Sequence, residues 1–153
     1  MADAVAEALA GLGLKLRPDW LVECLRNVPA PAGGRNGNDD QTLAHVYDHF
    51  LHSDLHESGA GCFPSNLAML RDEHLSGPLV VQMDALKNIA TSAMDQKEGK
   101  GGRTLLFALS DGVQQAVGLE YRHIAAFQIK PPPPVGLKIA LRNVRVKEGM
   151  PPL

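Results

Sequence analysis

The sequence predicts an α+β protein in which helices come first and strands follow. Apolar residues recur at helical spacing up to about His56, whereas from Pro78 onward they alternate as they do in strands. Two apolar runs also flank Asp111-Gly112, a pair that tolerates the positive φ angles of tight hairpin turns. Five short strands with a hairpin at their centre favour a small β-barrel behind a small bundle of helices.

Three short helices are expected in the first part of the chain. The first covers Ala2 to Leu12, which is rich in the strong helix formers Ala, Leu and Glu. Pro18 suits the first turn of a second helix, and Asp40 suits the N-cap of a third that runs to about Asp54. Apolar stripes predict one buried face on each of the last two helices. The stripes are Trp20, Leu21, Cys24 and Leu25, and Leu43, Val46, Tyr47, Phe50 and Leu51.

The strands are expected after residue 78. Leu79 to Leu86 forms the first, and a polar loop over 91–102 leads into the hairpin. Leu105 to Leu109 is apolar on both faces, which indicates a strand covered on both sides, whereas the return strand to Tyr121 alternates and can meet water on one face. Pro131 to Pro134 cannot join a central ladder, and two alternating strands follow it. Their apolar residues are Leu137, Ile139 and Leu141, then Val144 and Val146.

Length and charge narrow the class of protein. A chain of 153 residues suits one domain, or a small domain with a helical appendage. It has neither an apolar run near the roughly 20 residues of a membrane span nor the pattern of a secretory signal, so a reducing compartment is expected. The net charge of −2 gives no simple argument for a nucleic-acid partner. Residues 1–102 carry 8 Lys and Arg against 14 Asp and Glu, a net of −6, and residues 103–153 carry 7 against 3, a net of +4.

No catalytic or cofactor site is expected. Cys24 and Cys62 lack the spacing of a disulfide framework or a zinc site. Gly99 to Gly102 lacks the Gly spacing of a P-loop and the Ser or Thr that follows its Lys, and Ser110-Asp111 is not part of a nucleophile elbow. The sequence therefore predicts a protein that is not an enzyme and needs no cofactor.

Four histidines are the candidate metal ligands. His45, His49, His52 and His56 follow the spacing i, i+4, i+7 and i+11, so a continuous helix would place them within about 60° of one another. Imidazoles in this arrangement can bind zinc. The apolar stripe lies on the opposite side of the helix, however. The histidines are therefore expected in solvent, without neighbouring groups that would fix the orientation of their imidazole rings. We favour a solvated polar face and predict no metal site, with zinc binding as the alternative.

Direct binding of single-stranded nucleic acid is an alternative function for a small barrel. Such sites combine a basic groove with aromatic platforms on which bases stack. Most aromatic residues precede the strands, and Phe107 lies in the run predicted to be buried, so Tyr121 and Phe127 are the candidate platforms. The basic residues that could supply charge are Arg142, Arg145 and Lys147.

The order of several motifs resembles one known family. The motifs are Pro18-Asp-Trp-Leu-Val-Glu-Cys-Leu25, Phe50-Leu-His-Ser-Asp-Leu55, Phe63-Pro-Ser65, Gly77-Pro-Leu-Val-Val-Gln82, Ser110-Asp-Gly112, Gly118-Leu-Glu-Tyr121 and Pro134-Val-Gly-Leu-Lys-Ile139. In this order they are similar to the N-terminal region of the RecQ-mediated genome instability protein 1 family, to which the N-terminal region of Tudor domain-containing protein 3 is related. The resemblance covers nearly the whole chain. It implies a three-helix bundle, which we expect over 1–60, and a five-stranded OB-fold barrel, which we expect over 61–153.

The resemblance also implies a role. Proteins of this family are non-enzymatic partners of topoisomerase III, a type IA enzyme that passes one strand through another, and the complex can include a RecQ-type helicase. They act in DNA recombination, repair and replication, which implies a nuclear location, although the Tudor-containing relative allows a cytoplasmic one. In the family a loop between the first two barrel strands reaches into the topoisomerase gate, and here that loop is Asn88 to Gly102. Its apolar residues lie in a segment with no core of its own and are candidate anchors. The residues expected to bind the partner are Asn88, Ile89, Ala90, Met94, Lys97 and Lys100.

The end of the chain departs from the family pattern. Arg142-Asn143 stands where the family has a Gly between two barrel segments, and Gly149 to Leu153 stands where a last apolar strand should run. Pro151 and Pro152 cannot donate to a ladder. We therefore expect the last strand to be incomplete and the barrel to be left open, as in a shortened member of the family.

Overall fold

The protein consists of helices followed by antiparallel sheets, in a computed structural model that describes residues 2–29, 39–89, 104–120, 124, 127 and 134–147. The helices are α1 (Ala2–Gly11), α2 (Pro18–Arg26), α3 (Asp39–Leu51) and the one-turn α4 (Leu55–Ser58), and a 3-10 turn follows at Leu67–Met69. The strands are β1 (Asp72–Leu75), β2 (Leu79–Asn88), β3 (Leu105–Ser110), β4 (Gln115–Leu119), β5 (Lys138–Leu141) and β6 (Val144–Lys147). The predicted α+β class is confirmed.

The helices pack around one apolar cluster, which uses the stripes visible in the sequence. It contains Val5, Leu9, Leu14, Leu21, Cys24, Val46, Phe50 and Leu55. The third helix begins at Asp39 and ends at Leu51, so it is shorter than predicted and Asp40 is not its cap. Asp54 caps α4 instead, because its Oδ1 accepts a hydrogen bond from the backbone N–H of His56 at 3.0 Å. None of the helices in the described part of the chain is long and apolar enough to cross a membrane.

The strands form two separate antiparallel sheets in the described residues. Four strands lie in the order β4-β3-β2-β5, and β1 pairs with β6. The predicted hairpin is confirmed as β3 and β4, and the two predicted later strands are β5 and β6. β1 was not predicted, since its residues Asp72 to Leu75 are mostly exposed and show no apolar alternation.

A closed five-stranded barrel is not seen in this part of the chain. Asn143 takes a positive φ of 52°, and its backbone N–H donates to the carbonyl of Ser76 at 3.1 Å. This turn directs β6 toward β1 instead of around the sheet. Pro151 and Pro152, which were expected to interrupt the last strand, lie outside the described residues, and the domain boundary after residue 60 stays a prediction.

The hairpin turn is built differently from the one that the Asp-Gly pair predicted. Only Gly112 has a positive φ, of 94°. Asp111 acts through its carboxylate, because Oδ1 accepts hydrogen bonds from the backbone N–H groups of Val113 at 2.8 Å and Gln114 at 2.6 Å. Such local bonds from an Asp side chain to the backbone are a common way to fix a turn.

The same carboxylate joins the hairpin to the segment that connects helices and strands. Oδ2 of Asp111 accepts hydrogen bonds from the backbone N–H groups of Cys62 and Phe63, both at 2.8 Å, and the residue is only 2% exposed. Burial raises the pKa of this carboxyl, but the hydrogen bonds from Gln114, Phe63, Val113 and Cys62 outweigh it and hold the pKa below its usual value. One ionised side chain therefore organises both segments.

Gln82 of β2 ties the helices to the sheet. Its Oε1 accepts from the backbone N–H of Leu55 at 2.8 Å, and its Nε2 donates to Asp54 at 3.1 Å and to Asp84 at 2.9 Å. Lys138 of β5 donates from Nζ to a backbone carbonyl of the α3–α4 connection at 2.6 Å. Burial lowers the pKa of this ammonium, and the carboxylates of Asp54 and Asp84 oppose that effect. These polar contacts fix the helices on one face of the sheet.

β2 has one face toward a second apolar core and one toward the helices. Val81 and Met83 belong to the sheet core, whereas Val80 on the opposite face packs against the helical cluster. The strand is 10 residues long, which is about 30 Å at the usual rise per residue. The helix contacts described above fall between Val80 and Asp84, at the beginning of β2. The other end of the strand, at Asn88, lies far from them.

Candidate protein-interaction site

The two ends of the β2–β3 connection are joined by hydrogen bonds. Asn88 pairs with Leu105 in the ladder, and its side-chain Oδ1 accepts from the backbone N–H of Thr104 at 3.0 Å. The backbone N–H of Ile89 donates to the carbonyl of Thr104 at 2.9 Å. The chain therefore leaves and re-enters the sheet through a closed base formed by Asn88, Ile89 and Thr104, which we call the neck.

Two of the predicted partner-binding residues lie in the neck and differ in exposure. Asn88 is buried, in keeping with its bond to Thr104, and it positions the connection. The side chain of Ile89 is 44% exposed and is available for contact. The other four predicted residues lie outside the described residues, so their assignment stays a prediction. They are Ala90, Met94, Lys97 and Lys100.

The basic residues predicted for nucleic-acid binding lie on or just before β6, and β1 brings acidic residues opposite them. Arg142, Arg145 and Lys147 are exposed. Arg145 makes a bidentate ion pair with Asp72, with Nε at 2.7 Å from Oδ1 and Nη2 at 3.0 Å from Oδ2. The hydrogen bond from Arg145 lowers the pKa of the Asp72 carboxyl. The positive charge of β6 is therefore partly neutralised, which the sequence could not indicate because β1 was not predicted.

The aromatic platforms predicted for stacking bases are not assembled in the described residues. Phe127 is partly buried and packs against Phe107 of the sheet core, with ring centroids 5.2 Å apart. This packing does not favour a platform for bases at Phe127, and the assignment stays a prediction. Tyr121 lies outside the described residues.

The predicted common surface of four histidines is wrong, because α3 carries only His45 and His49, whereas His52 and His56 lie beyond its end. His56 belongs to α4, where its Nε2 lies 2.9 Å from Oδ2 of Asp84. His52 follows the end of α3, and its Nδ1 lies 2.8 Å from the backbone carbonyl of Asp48. The chain turns between them at the cap of α4, so the helical spacing that would align them does not continue.

The two earlier histidines pack beside α2 and are not fully solvated. The rings of His45 and His49 stack with centroids 5.9 Å apart, and Trp20 of α2 lies 6.0 Å from His49. The Nε2 atom of His45 is buried and has no hydrogen-bond partner. Across the described ranges, no group of three His, Cys, Asp or Glu side chains is arranged to hold a metal ion.

A shallow cleft of about 450 Å³ lies at the junction of helices and sheet. Its polar lining includes Asp54, His56, Gln82, Asp84 and Lys138. These groups bond to one another or to nearby backbone, so they stabilise the junction. The sequence analysis did not identify this network, although a buried Gln in an otherwise apolar strand is a signal of it.

Comparison with family profiles assigns both parts of the chain. Residues 9–58 match the profile described as "RMI1, N-terminal helical domain". Residues 97–151 match the profile described as "RMI1, N-terminal OB-fold domain". The second match identifies the strands as an OB-fold, although the sheet is open in the described residues.

Several known proteins are similar to this chain. RecQ-mediated genome instability protein 1 of Oryza sativa subsp. japonica is 34% identical, and that of Arabidopsis thaliana is 32% identical, each over 95% of this chain. Tudor domain-containing protein 3 of Danio rerio is 30% identical over 65% of this chain. The chain spans 18%, 23% and 14% of the length of these three proteins, respectively.

The percentage of identical residues and the share of this chain that is aligned assign the chain to a family. The two plant proteins match across the helices and the strands alike, in agreement with the motif order. Members of this family are non-catalytic scaffold proteins, which confirms the prediction that the chain is not an enzyme. The chain belongs to the family of RecQ-mediated genome instability protein 1.

Proposed function

We propose that this chain is the topoisomerase-binding module of a genome-stability scaffold. The β2–β3 connection binds topoisomerase III, a type IA enzyme, and modulates its strand passage. The observation that carries the proposal is the neck, in which Asn88 and Thr104 close the base of the connection at a sheet end distant from the helices. Membership of the family supports the choice of partner.

The neck suits this role for a physical reason. A connection whose two ends are joined loses less conformational freedom on binding than one with free ends. Ile89 places an exposed aliphatic side chain next to this rigid base, where it can act as an anchor. Ala90 and Met94 extend the apolar contact, and Lys97 and Lys100 add charged contacts at its rim.

The cellular role follows from the partner. The module acts in the nucleus, in DNA recombination, repair and replication, and meets a RecQ-type helicase through the complex that it joins. The names of the plant relatives support this assignment, since they associate the family with RecQ-mediated genome instability. The module needs no cofactor for binding.

Replacing two loop residues tests the assignment of the site. The double variant Ile89→Ala, Met94→Ala is expected to bind purified topoisomerase III at least tenfold more weakly, a loss of about 1.4 kcal/mol or more, because two apolar anchors are truncated. Titration calorimetry or biolayer interferometry measures the dissociation constant. Val22→Ala is the matched control, since Val22 is an aliphatic residue of similar exposure on α2.

The possible outcomes test the loop assignment and the identity of the partner separately. Equal affinity of the double variant and the intact chain would refute the loop assignment. If the intact chain does not bind topoisomerase III at all, the partner is wrong, whatever the loop does. In that case the fold and the family remain as described.

Direct binding of single-stranded nucleic acid is not favoured by the observed geometry. Arg145 is ion-paired with Asp72, and the partly buried ring of Phe127 packs against the sheet core. We expect no change in the fluorescence anisotropy of labelled single strands at low salt. An affinity that falls steeply as salt is added would support the alternative instead.

A further inference from the structure

We propose that the pair Asp111-Gly112 is a latent modification site, at which the aspartate isomerises to isoaspartate when the hairpin turn opens. Asp111 is the one aspartate in the sequence that a glycine follows. The folded turn engages both reacting groups in other contacts, so folding protects the pair. The inference is independent of the proposed function, since it concerns the chemistry of the chain itself and needs no partner.

The reaction joins the side chain of Asp111 to the next peptide nitrogen. The backbone nitrogen of Gly112 attacks Cγ of Asp111 and a C–N bond forms, while the hydroxyl of the protonated carboxyl leaves as water with the N–H proton. Water then adds to either carbonyl carbon of the cyclic succinimide and breaks its bond to nitrogen, which gives aspartate or isoaspartate. No oxidant or other reactant is needed. Glycine favours ring closure because it has no Cβ to crowd the approach of the nitrogen.

The attacking nitrogen is held in place in the folded protein. The backbone N–H of Gly112 donates to Oγ of Ser110 at 3.0 Å, and Ser110 is buried. Gly112 also packs closely against the helical unit, because a Cβ atom there would meet the carbonyl oxygen of Leu55 and the backbone of Gly59. Ring closure requires the peptide to rotate toward the side chain of Asp111, and these contacts oppose that rotation.

The carboxyl group is held in its unreactive form. Both oxygens of Asp111 accept backbone hydrogen bonds, Oδ1 from Val113 and Gln114, and Oδ2 from Cys62 and Phe63. Burial raises the pKa of this carboxyl, but the four hydrogen bonds outweigh burial and keep the pKa below its usual value. The side chain is therefore a carboxylate with no hydroxyl to lose, and a nitrogen attacks it poorly.

Opening of the turn removes these restraints together. The side chain of Gln114 ties the turn to the preceding segment, since its Nε2 donates to the carbonyl of Pro64 at 2.8 Å. Isoaspartate lengthens the backbone by one methylene group and moves the carboxylate, so the product cannot restore the four hydrogen bonds of Asp111. We therefore expect the modification to prevent the turn from closing again.

Comparing the folded chain with unfolded forms of the same sequence tests the proposal. The intact chain, the chain unfolded in urea and a synthetic peptide of residues 107–116 are incubated in the same slightly acidic buffer. Isoaspartate is measured by methylation with an isoaspartyl methyltransferase and is located by peptide mapping. We expect similar rates in urea and in the peptide, and a rate at least about tenfold lower in the folded chain, where the turn must first open.

A variant that loosens the turn without changing the reacting atoms tests the role of opening. Gln114→Ala removes the hydrogen bond to Pro64 and is expected to raise the rate in the folded chain by about two- to tenfold, as loss of one hydrogen bond does. Gln115→Ala is the matched control, since Gln115 is the exposed neighbour at the start of β4. Circular dichroism establishes that both variants are folded. The comparison with the peptide needs no variant, so it decides even if Gln114→Ala does not fold.

Each result supports or overturns the proposal. Slow isomerisation in the folded chain, fast isomerisation in urea and a higher rate for Gln114→Ala than for Gln115→Ala support it. Equal rates in the folded chain and the peptide would show that the turn does not protect the pair. Absence of isoaspartate at residue 111 in urea and in the peptide would show that the pair is not reactive. Equal rates for the two folded variants would show that opening of the turn does not control the reaction.

Discussion

Replacing Asp111 with alanine is expected to lower the free energy of unfolding by about 3 kcal/mol or more. The substitution removes the acceptor of four backbone N–H groups, two in the hairpin turn and two at Cys62 and Phe63. Each buried donor left without a partner costs about 1–3 kcal/mol, and bonds to a charged acceptor are the stronger ones. Urea denaturation followed by circular dichroism measures the difference. A loss below about 1 kcal/mol would contradict the account.

The same variant should change how stability depends on pH. Because the folded protein holds the pKa of Asp111 below its usual value, the stabilising effect is complete above the pKa of the unfolded chain and is lost as pH falls through the folded pKa. Below about pH 4, the free energy of unfolding should therefore fall more steeply for the intact protein than for Asp111→Ala. Asp19→Ala is the control, since that carboxylate is exposed and its ion pair with Arg17 contributes little.

Replacing Gly112 with alanine is expected to destabilise the protein by a similar amount, about 3 kcal/mol. Gly112 has a φ of 94°, which L side chains rarely adopt. A Cβ atom there would also collide with the carbonyl oxygen of Leu55 and lie 3.0 Å from the backbone of Gly59. These neighbours are backbone atoms of the helical unit, so they cannot move aside by changing a rotamer. Thermal unfolding measured by circular dichroism gives the loss.

Gly136→Ala separates backbone strain from close packing. Gly136 has a nearly equal φ of 92°, but nothing lies within 4 Å of the position that a Cβ would take. We expect this variant to lose about 1–2 kcal/mol, the cost of the left-handed conformation alone. Equal losses for the two variants would show that the contact between the turn and the helices contributes nothing.

The sequence predicted those parts of the fold that local periodicity determines. The apolar stripe that includes Val46 and Phe50 predicted α3. The two apolar runs on either side of the Asp111-Gly112 turn predicted β3 and β4. β1 has no such period and is a strand only because its backbone pairs with β6, far along the chain. The one-turn α4 depends on the cap at Asp54, and four residues are too few to show a stripe.

The candidate site was predictable only in part, for a similar reason. Ile89 was identified as an exposed anchor, but the bond between Asn88 and Thr104 spans the connection and leaves no local pattern. The ion pair of Arg145 with Asp72 joins two strands far apart in the chain, so the sequence overestimated the positive charge of β6. Leu119 was recognised as part of an alternating strand, but its cross-strand neighbour Leu106 follows only from the register of β3 and β4.

The measurement that tests the central claim most directly is the rate of strand passage by purified topoisomerase III in the presence of this chain. Decatenation is compared for the intact chain and for a variant in which a Gly-Ser linker replaces residues 90–103 between Ile89 and Thr104. Melting curves establish that both are folded. The account predicts that the intact chain changes the rate and that the folded variant does not. A folded variant that changes the rate as much as the intact chain would contradict the account, because the β2–β3 connection would then have no part in the function.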